Sequence, residues 1–401
     1  MQLEQSAGEN RRTEDGRGIS RVESIVVGAG PAGLAVAACL KRIGIECLVL
    51  EQSDRVGSSW HRHYDRLHLH TDRNHSELPF MRFGSGVPRY PSRLQFIEYL
   101  ENYARCFEIE PRFGAQIVSA KQTNGTWEVQ TRDDRLCTPS LVIATGYNRV
   151  PSIADWSTLA TFRGEVLHSS RYQNGRAYKD RDVLVVGLGN SGGEIAIDLF
   201  EHGARPSLAV RGPVNVIPRE LFGIPILAIA IAQSRLPVRF ADRLNDPILR
   251  AFFGDLTRYG LQKPARGPLR QIRENGGIPL IDVGTVALIK RGVVTVYPAV
   301  EGFSETGVRF LGGQHRKFDA VVLATGYRPR VGALLPDAAA AIDRDGTPIT
   351  SGYESALPGL YFCGFRVVAT GMLREIAIEA KQIAAEISYR RRIRSATHLR
   401  T

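Results

Sequence analysis

The sequence is poor in cysteine, and its cysteines form no pattern that carries chemistry. Five occur among the 401 residues, namely Cys39, Cys47, Cys106, Cys137 and Cys363. None belongs to a C-x-x-C pair, and their spacing does not match a metal site. These absences exclude a dithiol relay and a cysteine-ligated metal centre, and they predict reduced cysteines in a core.

Long apolar runs are also absent. The longest, residues 221–232, contains Pro225 and falls short of the roughly 20 residues that a membrane-spanning helix needs. We expect it to form a buried helix; the alternatives are a cover over a hydrophobic substrate tunnel or a contact with a membrane surface. Residues 1–21 are polar and charged and resemble no signal peptide. We therefore expect a disordered tail and a cytoplasmic protein without stable membrane insertion.

The formal net charge is +11, and arginine is spread along the chain except for one cluster, Arg390–Arg394. Such a cluster is typical of a solvated helix end or tail, so we expect a basic tail at 390–401 and no nucleic-acid partner.

Two copies of one glycine signature are present, Gly28–Gly33 and Gly187–Gly192. Each follows a short β-branched run and precedes a segment with helical spacing, which predicts strand, glycine turn and helix. In that context G-x-G-x-x-G indicates a dinucleotide site, because the turn lets the backbone approach a pyrophosphate at a helix N-terminus. The chain is therefore expected to bind two dinucleotides.

The residue after each second strand indicates which dinucleotide binds. Glu51 lies eighteen residues beyond Gly33, where a carboxylate accepts hydrogen bonds from an adenosine ribose; this suits FAD or NAD. The corresponding strand after the second turn ends in Arg211, and a guanidinium there favours a 2′-phosphate. We assign FAD to the first site and NADPH to the second, the alternative for Arg211 being a solvated strand end.

A second repeat marks the ends of the nucleotide domains. Residues 141–147 and 321–327 are near copies, each an apolar strand leading into Ala-Thr-Gly-Tyr. The predicted fold class is α/β, with two Rossmann-like domains, the NADPH domain being inserted in the FAD domain. The expected bounds are 22–175 for the first part of the FAD domain with a linker, 176–310 for the NADPH domain and 311–389 for the second part of the FAD domain. A final helix is expected at 372–387, with its N-terminus toward the flavin.

The linker supplies a more specific resemblance. Residues 162–172, Phe-Arg-Gly-Glu-Val-Leu-His-Ser-Ser-Arg-Tyr, match the F-x-G-x-x-x-H-x-x-x-Y/F motif of class B flavin-containing monooxygenases. From about 24 to 387 the chain resembles the plant YUCCA monooxygenases, including the segments 64–70, 90–100, 216–220, 259–269 and 279–284. Baeyer–Villiger monooxygenases have a similar linker that ends in tryptophan.

The resemblance implies an NADPH- and FAD-dependent monooxygenase that works through a C4a-(hydro)peroxyflavin. Its implied reaction is oxidative decarboxylation of an α-keto acid such as indole-3-pyruvate to indole-3-acetate, with a small-molecule substrate and O2 as partners and a monomeric or homodimeric state. N-hydroxylation or S-oxygenation of a small amine or sulfide is the alternative. A third alternative is a flavoprotein that does not oxygenate a substrate and acts as an NADPH oxidase, a reductase or a redox sensor.

The resemblance also places His168 and Tyr172 in NADP⁺ handling, the alternative being a structural link. It puts Thr71 nearest a flavin-positioning asparagine of related enzymes, with Asn74 close by. The expected catalytic set is therefore His168, Tyr172 and Thr71. The expected cofactor-binding set is Gly28, Gly30, Pro31, Ala32, Gly33, Glu51, Gln52, Trp60, Ala144, Thr145, Gly146, Gly187, Gly189, Asn190, Ser191, Gly192, Arg211, Ala324, Thr325, Gly326 and Gly364.

Two further groups of residues carry side chains that can bind ligands. The histidines between residues 61 and 75 lack ligating cysteines and a clear H-x-x-x-H helix, so no metal is expected. A carboxylate substrate needs a cationic partner, and the candidates in the family-like segments are Arg89, Arg93, Arg219 and Lys263.

Overall fold

The apolar runs that precede the two glycine turns each form the centre of a parallel β-sheet. The computed structural model describes residues 14–15 and 19–398. Its α-helices are α1 Pro31–Arg42, α2 Ser58–His61, α3 Arg93–Cys106, α4 Asn190–Glu201, α5 Ile226–Gln233, α6 Val238–Phe253, α7 Pro268–Asn275, α8 Thr285–Lys290 and α9 Met372–His398. Short 3₁₀ segments lie at Arg73–His75, Leu159–Thr161, Gly175–Tyr178, Leu256–Tyr259 and Val331–Ala333.

The first sheet has four parallel strands. Their spatial order is Leu360–Phe362, Leu141–Ile143, Ser24–Val27 and Cys47–Leu50. Helices α1, α3 and α9 contribute to the core on one face, and the other face packs on a second sheet of five short strands. These are, in spatial order, Glu14–Asp15, Ile19–Arg21, Arg135–Thr138, Thr126–Thr131 and Ile117–Thr123. Because both faces are covered, the strands of the first sheet are apolar apart from the buried Ser24, as parallel strands require.

The second parallel sheet has five strands. Their order is Glu165–His168, Ala320–Leu323, Asp182–Val186, Arg205–Ala209 and Thr295–Tyr297. Helices α4 and α8 cover one face. The other face packs on an antiparallel sheet made of Val300–Phe303, Gly307–Phe310 and His315–Lys317.

The predicted fold class is confirmed, but the bounds 176–310 for the inserted domain are too narrow. Strands Glu165–His168 and Ala320–Leu323 lie outside those bounds and belong to the second sheet. Residues 165–168 of the linker motif thus form an edge strand, since they pair with Ala320–Leu323, the strand that leads back to the first domain.

Both expected tails are partly structured. Strand Ile19–Arg21 pairs with Arg135–Thr138, so disorder is the wrong prediction for 19–21; Glu14–Asp15 is also a strand, and the rest of 1–21 lies outside the described residues. Helix α9 continues to His398 instead of ending near 387. Its basic cluster is anchored, since Arg391 pairs with Glu23 at 2.8 Å and Arg390 pairs with Glu354.

A helical segment between strands Arg205–Ala209 and Thr295–Tyr297 holds α5, α6 and α7. It begins with a strand pair, Val216–Pro218 beside Leu280–Asp282, and a hairpin of Glu220–Leu221 and Ile224–Pro225. The remaining two-stranded pairing joins Val150–Pro151 to Tyr327–Arg328. The buried-helix prediction for the apolar run is wrong, because only Leu227 of α5 is buried; the helix lines a cavity instead. No helix in the described ranges is long and apolar enough to cross a membrane.

Candidate functional site

The two glycine turns have the same geometry. Gly28 and Gly187 both have φ of +107°. A Cβ atom on Gly28 would lie 2.6 Å from the carbonyl oxygen of Ala144, and one on Gly187 would lie 2.5 Å from that of Ala324. The repeated Ala-Thr-Gly segments therefore pack directly against the first glycine of each turn, which explains why the two sequence repeats occur together.

The third glycine of each turn is fixed by the following helix. A Cβ atom on Gly33 would lie 1.8 Å from the carbonyl oxygen of Gly28, and one on Gly192 would lie 2.0 Å from that of Gly187. Only glycine lets α1 and α4 start so close to the turn.

The second glycine faces open space instead. Gly30 and Gly189 are the N-caps of α1 and α4, no side chain caps either helix, and no atom lies within 4 Å of a Cβ built on either residue. Free backbone N–H groups at a helix N-terminus beside open space form an anion site. Both turns thus fit the pyrophosphate of a dinucleotide.

Glu51 is held at the first turn by backbone amides. Its Oε2 accepts a hydrogen bond from the Ala29 N–H at 2.8 Å, and its Oε1 accepts one from the Ser53 N–H at 2.9 Å. The Ser58 hydroxyl also donates to Oε1 at 3.5 Å, whereas Oε2 keeps a lone pair for a ribose hydroxyl. The side chain lines the adjoining cavity together with Gln52.

Arg211 lies just beyond strand Arg205–Ala209 and is exposed. Ala209 pairs with Val186 as Leu50 pairs with Val27, so Arg211 lies one residue further along the chain than the counterpart of Glu51 and corresponds to Gln52. An exposed guanidinium is free to meet a phosphate with little desolvation cost.

One cavity of about 520 Å³ begins at the first turn and extends to the helical segment of the second domain. Its volume is in the range of small-molecule sites. The expected site residues that line it are Gly28, Gly30, Pro31, Ala32, Glu51, Gln52, Trp60, Thr71, Ala144, Thr145, Gly146, Asn190 and Gly364. The other expected residues, Gly33, His168, Tyr172, Gly187, Gly189, Ser191, Gly192, Arg211, Ala324, Thr325 and Gly326, do not line it.

Gly364 and the start of α9 form one wall of this cavity, together with residues 367–369 and Gly371. The Gly364 N–H donates to Oε2 of Glu379 at 2.7 Å, and the Ser351 hydroxyl donates to the same oxygen at 2.9 Å. Glu379 is 1% exposed, and burial raises the pKa of its carboxyl group above the usual value. This contact fixes the turn from behind.

Trp60 and Thr71 line the cavity near the junction of the two domains. The Trp60 ring packs edge-on against Phe96 with centroids 4.4 Å apart, so the ring serves both the core and the cavity. The hydroxyls of Thr71 and Ser76 are 2.7 Å apart. Asn74 is exposed and does not line the cavity.

His168 lies outside the cavity, and both nitrogens of its ring are hydrogen-bonded to other protein groups. Its Nδ1 accepts from the Ser170 N–H at 3.1 Å, so the proton of the neutral ring is on Nε2, which donates to the Gly326 carbonyl oxygen at 3.1 Å. The ring packs edge-on against Tyr327, and burial lowers the pKa of His168.

Tyr172 is fully buried and does not reach the cavity. Its hydroxyl donates to Oδ2 of Asp198 at 2.6 Å, and its ring stacks with Tyr178. Burial raises the pKa of Tyr172 far above the usual value, and the Asp198 carboxylate adds to that shift. Its environment is that of a structural anchor in the second domain, in contrast to the expected catalytic position.

The histidines of the 61–75 region have separate partners. His70 contacts the buried Glu194 of α4, which Arg66 also approaches at 3.7 Å. His75 pairs with Asp72 at 2.7 Å. Among the described residues, no group of three His, Cys, Asp or Glu side chains could hold a metal ion.

None of the four expected substrate cations lines the cavity. Arg89 pairs with Glu220 and Arg93 with Asp65, while Arg219 lies over the ring of Tyr90. Lys263 approaches Asp246 at 3.8 Å. All four are engaged by other groups, Arg93 with only 12% of its side chain exposed, so none of these candidates lies at the cavity.

Two glycine-turn domains around one cavity define an oxidoreductase with two dinucleotide sites. The family model described as pyridine nucleotide-disulphide oxidoreductase matches residues 25–218. A solved flavin-containing monooxygenase from Stenotrophomonas maltophilia has the same fold, with a TM-score of 0.71 and 20% sequence identity over 92% of this chain and 98% of that chain.

Closer relatives identify the family. The chain is 40% identical to the indole-3-pyruvate monooxygenase YUCCA1 of Oryza sativa subsp. japonica, covering 94% of both chains. It is 39% identical to the indole-3-pyruvate monooxygenase YUCCA6 of Arabidopsis thaliana, over 90% of this chain and 89% of the relative. The chain belongs to this YUCCA family of flavin monooxygenases, as its linker and segment motifs predicted.

Proposed function

We propose that this protein is an NADPH- and FAD-dependent monooxygenase that decarboxylates an α-keto acid oxidatively, with indole-3-pyruvate giving indole-3-acetate. The observation that carries the proposal is the near full-length similarity to indole-3-pyruvate monooxygenases. The apolar cavity beside the first glycine turn supports it. A cytoplasmic location and a monomeric or homodimeric state stay predictions.

The residues of the first turn would hold FAD. Its pyrophosphate would lie at Gly30 and the N-terminus of α1, and its ribose at Glu51. NADPH would bind at Gly189 and the N-terminus of α4, with its 2′-phosphate at Arg211. When bound, FAD supplies the activation of oxygen and NADPH the electrons.

The chain contributes shielding and orientation. The cavity is walled by Trp60, Leu69 and residues 367–369 and 371–373 on one side and by α5 of the inserted domain on the other. An apolar lining excludes water, which keeps stray protons away from reactive oxygen species. The junction is braced by Arg66, which binds Glu201 of α4 at 2.9 Å, and by the contact between His70 and Glu194.

The substrate would occupy the part of the cavity formed by α5, α6 and α7. Most side chains that these helices contribute are aliphatic, among them Leu227, Ile229 and Leu249. An aromatic α-keto acid suits such a chamber because burial of its ring is favourable. The basic side chains that do line the cavity are Arg62, His63, His70 and Arg149, and they lie outside these helices.

The deciding experiment is product analysis of the flavin-loaded enzyme under ¹⁸O2. With NADPH and indole-3-pyruvate we expect indole-3-acetate carrying one heavy oxygen, with CO2 released. A parallel panel of amines and sulfides tests N-hydroxylation and S-oxygenation. Oxygenated amines without decarboxylation would replace the proposed reaction, and NADPH consumption that yields only hydrogen peroxide would indicate an oxidase.

A further inference from the structure

A pair of amide side chains interrupts the aliphatic wall of the substrate chamber. Gln233 is the last residue of α5, and Asn245 lies in the middle of α6. The Gln233 Nε2 donates to Oδ1 of Asn245 at 3.0 Å, and the Asn245 Nδ2 donates to Oε1 of Gln233 at 2.9 Å. Both residues line the cavity and are half-buried.

The amide pair is the polar exception among the residues that α5, α6 and α7 place in the cavity. The others on α5 are Ile226, Leu227, Ile229 and Ala230, and α6 and α7 add isoleucine, leucine and proline. Binding sites of this composition use a few placed polar groups to orient a mostly apolar ligand. The position of the pair therefore points to a ligand contact.

Hydrogen-bonding capacity remains after the two amides have paired. Each amide has two N–H groups and two oxygen lone pairs, and the reciprocal contact uses one of each. One donor and one acceptor per residue are left. A half-buried amide oxygen with a free lone pair gains from an N–H group of a bound molecule.

The lack of a cationic side chain beside the amide pair excludes a carboxylate at this end of the chamber. No Lys or Arg of α5, α6 or α7 lines the cavity. Arg250 of α6 is turned to the surface and pairs with Asp246. A carboxylate placed here would lose its hydration without gaining a cation, so the group at the amides is neutral and the carboxylate points the other way.

On this basis we infer that Gln233 and Asn245 recognise the ring N–H of an indole substrate, accepting its hydrogen bond with an amide oxygen. The inference rests on the proposed function, because indole-3-pyruvate carries a carboxylate at one end and a neutral N–H at the other. The pair then contributes to substrate specificity, because it favours indole rings over aromatic rings of the same shape that lack a hydrogen-bond donor.

The test compares indole-3-pyruvate with 1-benzothiophene-3-pyruvate, in which sulfur replaces the N–H group. The wild-type enzyme is expected to prefer the indole substrate about tenfold in kcat/KM, the size of one neutral hydrogen bond, and to do so through KM. Equal kcat/KM values for the two substrates in the wild type overturn the inference without any variant.

Variants separate recognition from a purely structural tie between α5 and α6. In the double variant Gln233→Met with Asn245→Leu, KM for the indole substrate is expected to rise about tenfold, with little change for the benzothiophene and in kcat. The exchanged pair, Gln233→Asn with Asn245→Gln, retains two amides and is expected to restore part of the preference. Ser234→Ala on the outer side of the same helix end is the matched control, and flavin content reports folding.

The outcomes are distinct. An equal loss for both substrates in the double variant shows a structural tie and overturns the inference, as does an unchanged preference. If the wild type decarboxylates neither α-keto acid, the proposed function fails and this inference fails with it. Decarboxylation of both without preference leaves the proposed function standing and removes only the specificity role.

Discussion

His168 is hydrogen-bonded to Gly326 across 158 residues of sequence, with the Nε2–H donating to the carbonyl oxygen at 3.1 Å. Because strand Glu165–His168 pairs with Ala320–Leu323, this bond continues the pairing into the Ala-Thr-Gly turn. That turn packs on Gly187 at the second dinucleotide site. The linker histidine thus holds the turn behind the second glycine site without touching the cavity, and we expect it to influence NADPH binding from there.

Removal of this bond is expected to uncouple NADPH oxidation from substrate oxygenation. In His168→Ala the Gly326 turn loses its tie, and a nicotinamide cofactor held less firmly shields the cavity less well. Hydride transfer needs only a brief encounter, so NADPH consumption should continue while more oxygen leaves as hydrogen peroxide. The measurement is peroxide per NADPH with substrate present, with exposed His315→Ala as control. Equal peroxide yields in wild type and His168→Ala would rule out this role.

Tyr172 is expected to contribute stability and not catalysis. Tyr172→Phe removes the hydroxyl that donates to buried Asp198 and leaves the carboxylate short of a partner, at a cost of about 2 kcal/mol. Urea denaturation should detect this loss. The coupling of NADPH oxidation to substrate oxygenation and the KM for NADPH should stay at wild-type values. A change in either without loss of stability would show that Tyr172 has a catalytic role.

Local sequence predicted the parts of the site that depend on local geometry. The glycines at 28, 33, 187 and 192 are required by backbone distances within one turn, and such requirements are visible as a motif. Glu51 follows its strand directly, so its position could also be counted along the chain. The sequence showed that the Ala-Thr-Gly segment is repeated, but it did not show that each copy packs against the first glycine of a turn.

Long-range packing decided what the sequence left open. The motif that contains Tyr172 gave no sign that the side chain turns into the core of the second domain and meets Asp198. The apolar run at 221–232 suggested a buried helix because its composition is uniform, whereas its exposure depends on how α6 and α7 surround the cavity. The pairing of Gln233 with Asn245 has no sequence signature, although the faces of α5 and α6 follow helical spacing.

The second glycine of the first turn offers a test of FAD placement. A valine at Gly30 meets no protein atom within 4 Å of its Cβ, so Gly30→Val should fold, yet its side chain would occupy the space expected for the pyrophosphate. Flavin loss is expected, measured as the absorbance ratio of purified protein, with normal secondary structure by circular dichroism. Gly86→Val, at an exposed glycine that also has free space around it, is the control. A fully flavinated Gly30→Val protein would show that the site is misplaced.

Arg211 provides the corresponding test for NADPH. Arg211→Glu replaces attraction to the 2′-phosphate by repulsion, and a loss of about 2 kcal/mol lowers the preference for NADPH over NADH more than tenfold. The ratio of kcat/KM for the two cofactors is the measurement. Arg132→Glu makes the same charge change at another exposed position and should leave the ratio unaltered. If the ratio does not move in Arg211→Glu, the guanidinium is only a solvated strand end.

His63 makes a prediction about acid stability. It lines the cavity beside Trp60, and burial, with smaller contributions from Arg93 and Arg62 against Glu194, lowers the pKa of His63 to about 4. An unfolded histidine has a pKa near 6.5. A depressed pKa in the folded state stabilises the protein above the unfolded pKa, and this contribution is lost as the pH falls from about 6.5 toward 4.

The side chain of His63→Gln cannot take up this proton. The unfolding free energy of the wild type relative to this variant should therefore be constant above pH 7 and fall by roughly 2 to 4 kcal/mol by pH 4. Urea denaturation of both flavin-loaded proteins across that range gives the difference directly, and His315→Gln at an exposed site serves as control. A difference that stays flat between pH 7 and pH 4 would mean that His63 is protonated as easily in the folded protein as in the unfolded chain, and that its place in the cavity wall is open to water.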